Sequence, residues 1–120
     1  MHVLIVAGDH SSDQYASQLV KAMKVRNPAV RVTALGGPAL KLEADDFLEN
    51  ILALAVVGVV EEFVQGFKRR KLLRCVAHHL NADPVQEAVV IDSPHLYFPM
   101  LNLLRRFNTR ISTFITPHFW

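Results

Sequence analysis

The sequence is poor in several features that mark common classes of protein. A single cysteine, Cys75, excludes a disulfide-stapled secreted fold and favours a reducing compartment. The longest apolar run, residues 51–60, is far shorter than the roughly 20 residues that a membrane-spanning helix needs. The five glycines form neither the G-x-G-x-x-G of dinucleotide-binding folds nor the glycine-rich turn of a P-loop. The net charge of +2 is too small to indicate nucleic acid as a partner.

The start of the chain also lacks a targeting signal. Its first seven residues, MHVLIVA, have neither the basic start nor the cleavage site of a signal peptide, so we expect a cytoplasmic chain. Hydrophobic residues make up 51% and charged residues 20% of the 120 residues, as in one packed globular domain. Cys75 stands among apolar residues of a predicted helix, and we expect a buried, unreactive thiol there.

Apolar patterning predicts the order of strands and helices. Runs typical of buried strands cover residues 3–7, 31–35, 88–91 and 111–115. The spacing of Ser11 and Gln14 is that of a capping box, which predicts the start of a first helix. The apolar face of this helix is expected to contain Tyr15, Ala16, Leu19, Val20 and Met23. Its end is expected at Asn27-Pro28.

The later helices have weaker boundaries. A short helix is expected up to about Ala44, and residues 47–67 are predicted as a loop followed by a helix. Residues 68–81 form an amphipathic pattern with Leu72, Leu73, Val76, Ala77 and Leu80 on one face. The last helix is expected to have Pro99 in its first turn and an apolar face of Met100, Leu103, Leu104 and Phe107.

This alternation predicts an α/β fold with a doubly wound parallel sheet, similar to a Rossmann domain. We expect residues 1–120 to be the incomplete amino-terminal part of a longer protein. The reason is that the chain stops on Trp120 directly after a strand, which leaves large aromatic side chains without cover.

Ligands of such sheets bind beyond the carboxyl ends of the strands, where three segments of this chain are expected to meet. They are residues 8–13, 36–38 and 92–95. Backbone N–H groups at the start of the first helix favour an anion such as a phosphate, although a simple capped turn explains the same pattern. Asp92 ends a buried strand and suits either a general base or a structural carboxylate.

Two further groups of residues are candidate sites. His10, His95 and His118 lack the spacing and the co-ligands of a metal centre, so no metal site is predicted; His78 and His79 are expected on a solvated helix edge. The basic residues Lys68, Arg69, Arg70 and Lys71, with Arg74, form either a solvated helix face or, with the apolar segment before them, a membrane-surface patch.

Several segments together resemble lipid-A-disaccharide synthases. Residues 8–13 (GDHSSD) are similar to that family's Gly-Glu-x-Ser-Gly-Asp loop, and residues 36–38 match its Gly-Gly-Pro. Residues 54–61 (LAVVGVVE) resemble its Leu-Ala-Val-Met-Gly segment, which continues to a glutamate. Residues 91–94 (IDSP) resemble its Ile-Asp-x-Pro, and residues 116–120 (TPHFW) its Ser-Pro-x-hydrophobic-Trp. Ser12 stands where the family has glycine, and His95 where it has aspartate.

The resemblance implies an inverting glycosyltransferase of the two-domain GT-B type. Residues 1–120 would be its incomplete amino-terminal, acceptor-side domain, and the carboxyl-terminal domain that binds the UDP-sugar would lie outside this sequence. It implies transfer of 2,3-diacylglucosamine from UDP to 2,3-diacylglucosamine 1-phosphate (lipid X), giving the β-1,6 disaccharide of lipid A. No cofactor, metal or nucleic acid is implied. The expected location is the cytoplasmic face of the bacterial inner membrane, to which Lys68, Arg69, Arg70 and Lys71 would attach the protein peripherally. A homodimer is left open.

The same resemblance assigns candidate site residues. Asp92 corresponds to the aspartate proposed as general base in that family. The expected substrate-binding residues are Gly8, Asp9, Ser11, Ser12, Asp13, Gly37, Glu61 and His95. Two alternatives remain: a non-catalytic membrane-surface or ligand-binding module derived from this enzyme, and another GT-B sugar-nucleotide enzyme.

Overall fold

The computed structural model describes residues 1–52, 61–91 and 97–114, and leaves out the side chains of residues 61–69, 97–99 and 114. The five strands of this part are β1 (His2–Ala7), β2 (Arg31–Gly36), β3 (Asp46–Asn50), β4 (Glu87–Ile91) and β5 (Arg110–Phe114). Its four helices are α1 (His10–Arg26), α2 (Pro38–Glu43), α3 (Glu61–Ala82) and α4 (Tyr97–Arg106). Among the described residues, no helix is both long and apolar enough to cross a bilayer.

The strands form one sheet in the order β3-β2-β1-β4-β5, and every neighbouring pair is parallel. This confirms the predicted α/β class. The chain runs outward from β1 to β3 on one side, then returns to place β4 against the other side of β1. The connections after β1 and after β4 therefore diverge from a shared point, which is where doubly wound sheets bind ligands.

Apolar side chains bury both faces of the sheet, as the uninterrupted run in β1 predicts. Val3, Ile5 and Ala7 pack in one core with residues of α1 and α2. Leu4 and Val6 belong to a second core that includes residues of α3 and α4. Burying one such aliphatic side chain contributes about 1.5–3 kcal/mol. The alternation along β1 therefore fixes which side chains face each of the two helical layers.

Two expectations about α1 need correction. The helix begins at His10, with Asp9 rather than Ser11 as its N-cap, because the Asp9 side chain accepts a hydrogen bond from the N–H of Ser12. Tyr15 does not lie on the buried face, since its side chain is 49% exposed. The rest of the predicted face is confirmed, since Ala16 and Val20 are buried and Leu19 and Met23 pack half-buried against the same core. Ser12, Asp13 and Ser17 are buried as well.

The sequence patterns also missed a strand. Residues 46–50 form β3 at one edge of the sheet, whereas the sequence predicts a loop and then a helix for residues 47–67. The edge position explains this, because β3 pairs only with β2 and its side chains are half-buried or exposed instead of alternating clearly.

Helix α3 confirms its predicted apolar face, since Leu72, Val76 and Leu80 are buried. Cys75 on the same helix is exposed, which corrects the expectation of a buried thiol.

Candidate functional site

The candidate site lies at the carboxyl ends of β1 and β4, around the point where the two connections diverge. Ala7 and Ile91 form the last paired position of these strands. Gly8, which follows Ala7, is buried, and Asp9 is half-buried. The candidate general base Asp92 directly follows Ile91 in the sequence but lies outside the described residues, as does His95.

The connection after β1 is fixed by the capping of α1. Asp9 Oδ1 accepts a hydrogen bond from the Ser12 N–H at 2.7 Å, and the Asp9 carbonyl accepts one from the Asp13 N–H at 2.9 Å. These bonds satisfy part of the helix start, where unpaired donors and the helix dipole favour an anion. His10 and Ser11 are exposed here, so their side chains are available to a ligand.

Ser12 lies inside the protein and not on the exposed side of this turn. Its side chain is fully buried, and its Oγ has no hydrogen-bond partner among the described residues. A buried hydroxyl without a partner is costly, which makes this position unusual for a serine. Any contact of Ser12 with a substrate stays a prediction.

Asp13 links the connection after β1 to the connection after β2. Its Oδ1 accepts hydrogen bonds from the N–H groups of Gly37 at 2.8 Å and Leu40 at 3.0 Å. Its Oδ2 accepts one from the Ala39 N–H at 3.0 Å. Because Gly37 provides no side-chain cap for α2, the carboxylate of Asp13 does so from a neighbouring helix. We propose that Asp13 supports the site by positioning these two connections, since its side chain is fully buried.

Close packing explains the glycine that ends β2, Gly36, and the glycine that follows it, Gly37. A Cβ on Gly37 would lie 2.7 Å from Asp13 Oδ2 and 2.5 Å from a methyl carbon of Leu52. A Cβ on Gly36 would lie 2.8 Å from a methyl carbon of Leu40. Neither glycine has a positive φ, so what they supply is space rather than conformational freedom.

A shallow groove of about 520 Å³ runs beside the start of α1. It is lined by Ser11, Gln14, Tyr15, Ser17, Gln18 and Ala39. Five of these six residues carry a hydroxyl or an amide group, which can form hydrogen bonds to a polar ligand such as a sugar. Among the predicted substrate-binding residues that the structure describes, Ser11 lines this groove.

The remaining predicted residues are described only in part. Glu61 begins α3, but its side chain, with those of Lys68 and Arg69, is outside the described part. Arg70, Lys71 and Arg74 are exposed on the same helix. The predicted basic surface is therefore solvent-accessible where the structure describes it.

Comparison with known proteins supplies the family. A model of the lipid-A-disaccharide synthetase family matches residues 3–120, almost the whole sequence. The chain belongs to this family. The match confirms the resemblance inferred from the five motif segments.

Named members of the lipid-A-disaccharide synthetase family align with nearly all of the chain. The lipid-A-disaccharide synthase of Granulibacter bethesdensis is 27% identical over 118 residues, which cover 98% of this chain and 30% of that protein. That of Pseudomonas putida is 31% identical over 121 residues, with coverages of 98% and 32%. That of Alkalilimnicola ehrlichii is 27% identical over 120 residues, with coverages of 100% and 31%. The chain thus spans less than a third of the length of these relatives.

Proposed function

We propose that the protein containing this chain is a lipid-A-disaccharide synthase of GT-B type and that residues 1–120 belong to its acceptor-side domain. The observation that carries the proposal is the family match over residues 3–120. The carboxyl ends of β1 and β4 support it, because a doubly wound sheet binds ligands where the connections after two neighbouring strands diverge. The donor is UDP-2,3-diacylglucosamine, and the acceptor is lipid X.

In the proposed reaction, the 6-hydroxyl oxygen of lipid X attacks the anomeric carbon of the donor sugar. The new C–O bond forms as the bond between that carbon and the UDP phosphate breaks, and UDP carries away the electron pair. Asp92 takes the hydroxyl proton as general base. The connection after β1, with the start of α1 and exposed Ser11, receives the polar part of a substrate. Asp13 and Gly37 keep this connection in place from within the protein.

The proposal is tested by mixing the full protein with UDP-2,3-diacylglucosamine and lipid X and detecting the disaccharide by mass spectrometry. We expect stoichiometric formation of disaccharide and UDP. Residues 1–120 expressed alone are the control, and they should show no turnover, because a single domain of this size does not position both substrates. Turnover of other sugar nucleotides with non-lipid acceptors would favour another GT-B enzyme. Lipid X binding without turnover of any donor would favour the non-catalytic module.

We also propose that the basic surface of α3, residues 68–71 with Arg74, attaches the protein peripherally to an anionic membrane. Arg70 and Lys71 are exposed, as the proposal requires. Each basic residue near an anionic surface contributes about 1 kcal/mol, which is lost as salt screens the charges.

Replacing both Arg70 and Lys71 with Gln should therefore weaken vesicle binding by about 2 kcal/mol, roughly thirtyfold in partition constant. Co-sedimentation with phosphatidylglycerol vesicles at low salt measures this. The matched control replaces Lys21 and Arg26, which are exposed on α1 in the other helical layer. Equal loss in both double variants would show that only net charge matters, and no loss in either would remove the membrane role of α3.

A further inference from the structure

A second cluster of polar side chains lies near the amino ends of the strands, opposite the candidate site at their carboxyl ends. His2 begins β1, Asp46 begins β3, His79 is in the last turn of α3, and Asp83 directly follows that helix. Each side chain offers one nitrogen or oxygen atom, and these four atoms all lie within 4.8 Å of one another. The cluster is separate from the candidate site at the carboxyl ends.

We propose that His2, Asp46, His79 and Asp83 bind one divalent transition metal ion of the zinc class, which ties the edge strand β3 and the end of α3 to the first strand. Two imidazole nitrogens and two carboxylate oxygens are ligands that zinc accepts, usually in a tetrahedron. In a tetrahedron, metal–ligand bonds of about 2.0–2.2 Å place any two ligand atoms about 3.3–3.6 Å apart. Small side-chain shifts thus bring the cluster to bonding distance.

His2 can bind a metal through Nδ1 once this nitrogen gives up the proton that it donates to the Pro84 carbonyl. Its side chain is buried, and its Nδ1 lies 3.5 Å from Asp83 Oδ1 and 3.1 Å from the carbonyl oxygen of Pro84. Its Nε2 lies 2.6 Å from Thr33 Oγ1. With Nδ1 on a metal, Nε2–H donates to the Thr33 hydroxyl, the kind of outer hydrogen bond that orients metal-binding histidines.

His79 supplies a second, independent observation. Its Nε2 is a buried atom with no hydrogen-bond partner in the part of the chain that the structure describes. The ring meets that of His2 edge-on, with centroids 6.4 Å apart. A buried ring nitrogen without a partner is costly, and a metal bond or a proton shared with a ligand would remove that cost.

Arg31 is a cation in contact with the two carboxylates of the cluster. Its guanidinium donates hydrogen bonds to both Asp46 and Asp83, and this contact lowers the pKa of the Asp83 carboxyl. The two carboxylates carry one more negative charge than Arg31 balances. The Arg31 side chain is 46% exposed, so it can turn toward solvent when a metal takes its place. Arg31 is therefore expected to compete with the metal.

The test uses the full protein without a histidine tag. Zinc titrated calorimetrically into it should bind at one ion per chain, and cobalt should give the intense visible absorption of a tetrahedral site. His79→Gln should weaken zinc binding at least about tenfold, the lower end of what even outer-sphere changes cost. The matched control is His78→Gln, which changes the exposed neighbour on the same helix and should bind as the wild type does.

A second variant separates the metal site from a plain ion-pair network. Arg31→Gln removes the competing cation and should tighten zinc binding, whereas a network without metal affinity gains none. The proposal is overturned if the wild type shows no stoichiometric zinc binding and no tetrahedral cobalt spectrum. It is also overturned if folded His79→Gln protein, checked by circular dichroism, binds zinc as tightly as His78→Gln does. Neither result bears on the transferase activity, whose proposed site is at the carboxyl ends of the strands.

Discussion

Asp92→Asn in the full protein is expected to lower turnover at least about a hundredfold while leaving the KM for lipid X nearly unchanged. General-base catalysis contributes about 10²–10⁴-fold, and an amide of the same size cannot accept a proton at neutral pH. The loss therefore falls on the chemical step and not on substrate binding. Steady-state kinetics with both substrates measures the two constants separately.

Thermal stability of the same variant distinguishes catalysis from structure. If Asp92 is the base, the melting temperature should change little while turnover falls. If Asp92 only holds loop N–H groups, the variant should lose stability and activity in proportion. Near-normal turnover would remove Asp92 as the base and direct attention to His95, in the same segment, or to His10, in the segment after β1.

Asp13→Ala is expected to destabilise the fold by about 3 kcal/mol or more. The substitution leaves the N–H groups of Gly37, Ala39 and Leu40 without their acceptor, and a buried donor left unpaired costs about 1–3 kcal/mol. For a domain of this size, such a loss lowers Tm by more than about 10 °C. Urea unfolding followed by circular dichroism gives the free energy directly.

Asp9→Ala is the matched control for this prediction. It removes a carboxylate from the same connection, but that side chain caps α1 through one hydrogen bond, to the Ser12 N–H. Losing one N-cap costs about 1 kcal/mol. Equal effects of the two substitutions would contradict the view that Asp13 holds α1 and α2 together. Gly37→Ala should resemble Asp13→Ala, because its Cβ would displace the same carboxylate.

The sequence predicts the central strands well and the sheet edge poorly. In β1 both faces are buried, so an unbroken apolar run is the only pattern that satisfies the fold. Strand β3 contains Asp46, Glu49 and Asn50 and pairs on one side only, so neither alternation nor a buried run appears. The start of α1 was misplaced because Asp9 and Ser11 are both good N-cap residues, and local pattern alone does not choose between them.

Long-range contacts explain why the sequence alone does not predict the roles of Asp13 and His79. The Asp13 carboxylate meets backbone donors 24 to 27 residues away, and backbone N–H groups leave no mark in a sequence. Of the four proposed metal ligands, only His79 and Asp83 are close in the sequence, and one pair four residues apart does not identify a four-ligand site. His79 was expected to be solvated, and only the packing of α3 against the sheet reveals its buried nitrogen.

The central claim is that the acceptor for transfer binds at the carboxyl ends of β1 and β4. The most direct measurement is the distance between the lipid X 6-hydroxyl oxygen and the Asp92 carboxylate in a crystal structure of the full protein with lipid X and UDP. We predict a hydrogen-bond distance of about 2.6–3.2 Å, with lipid X lying across the connection after β1. A lipid X molecule bound elsewhere, or one whose 6-hydroxyl points away from Asp92, would contradict this account.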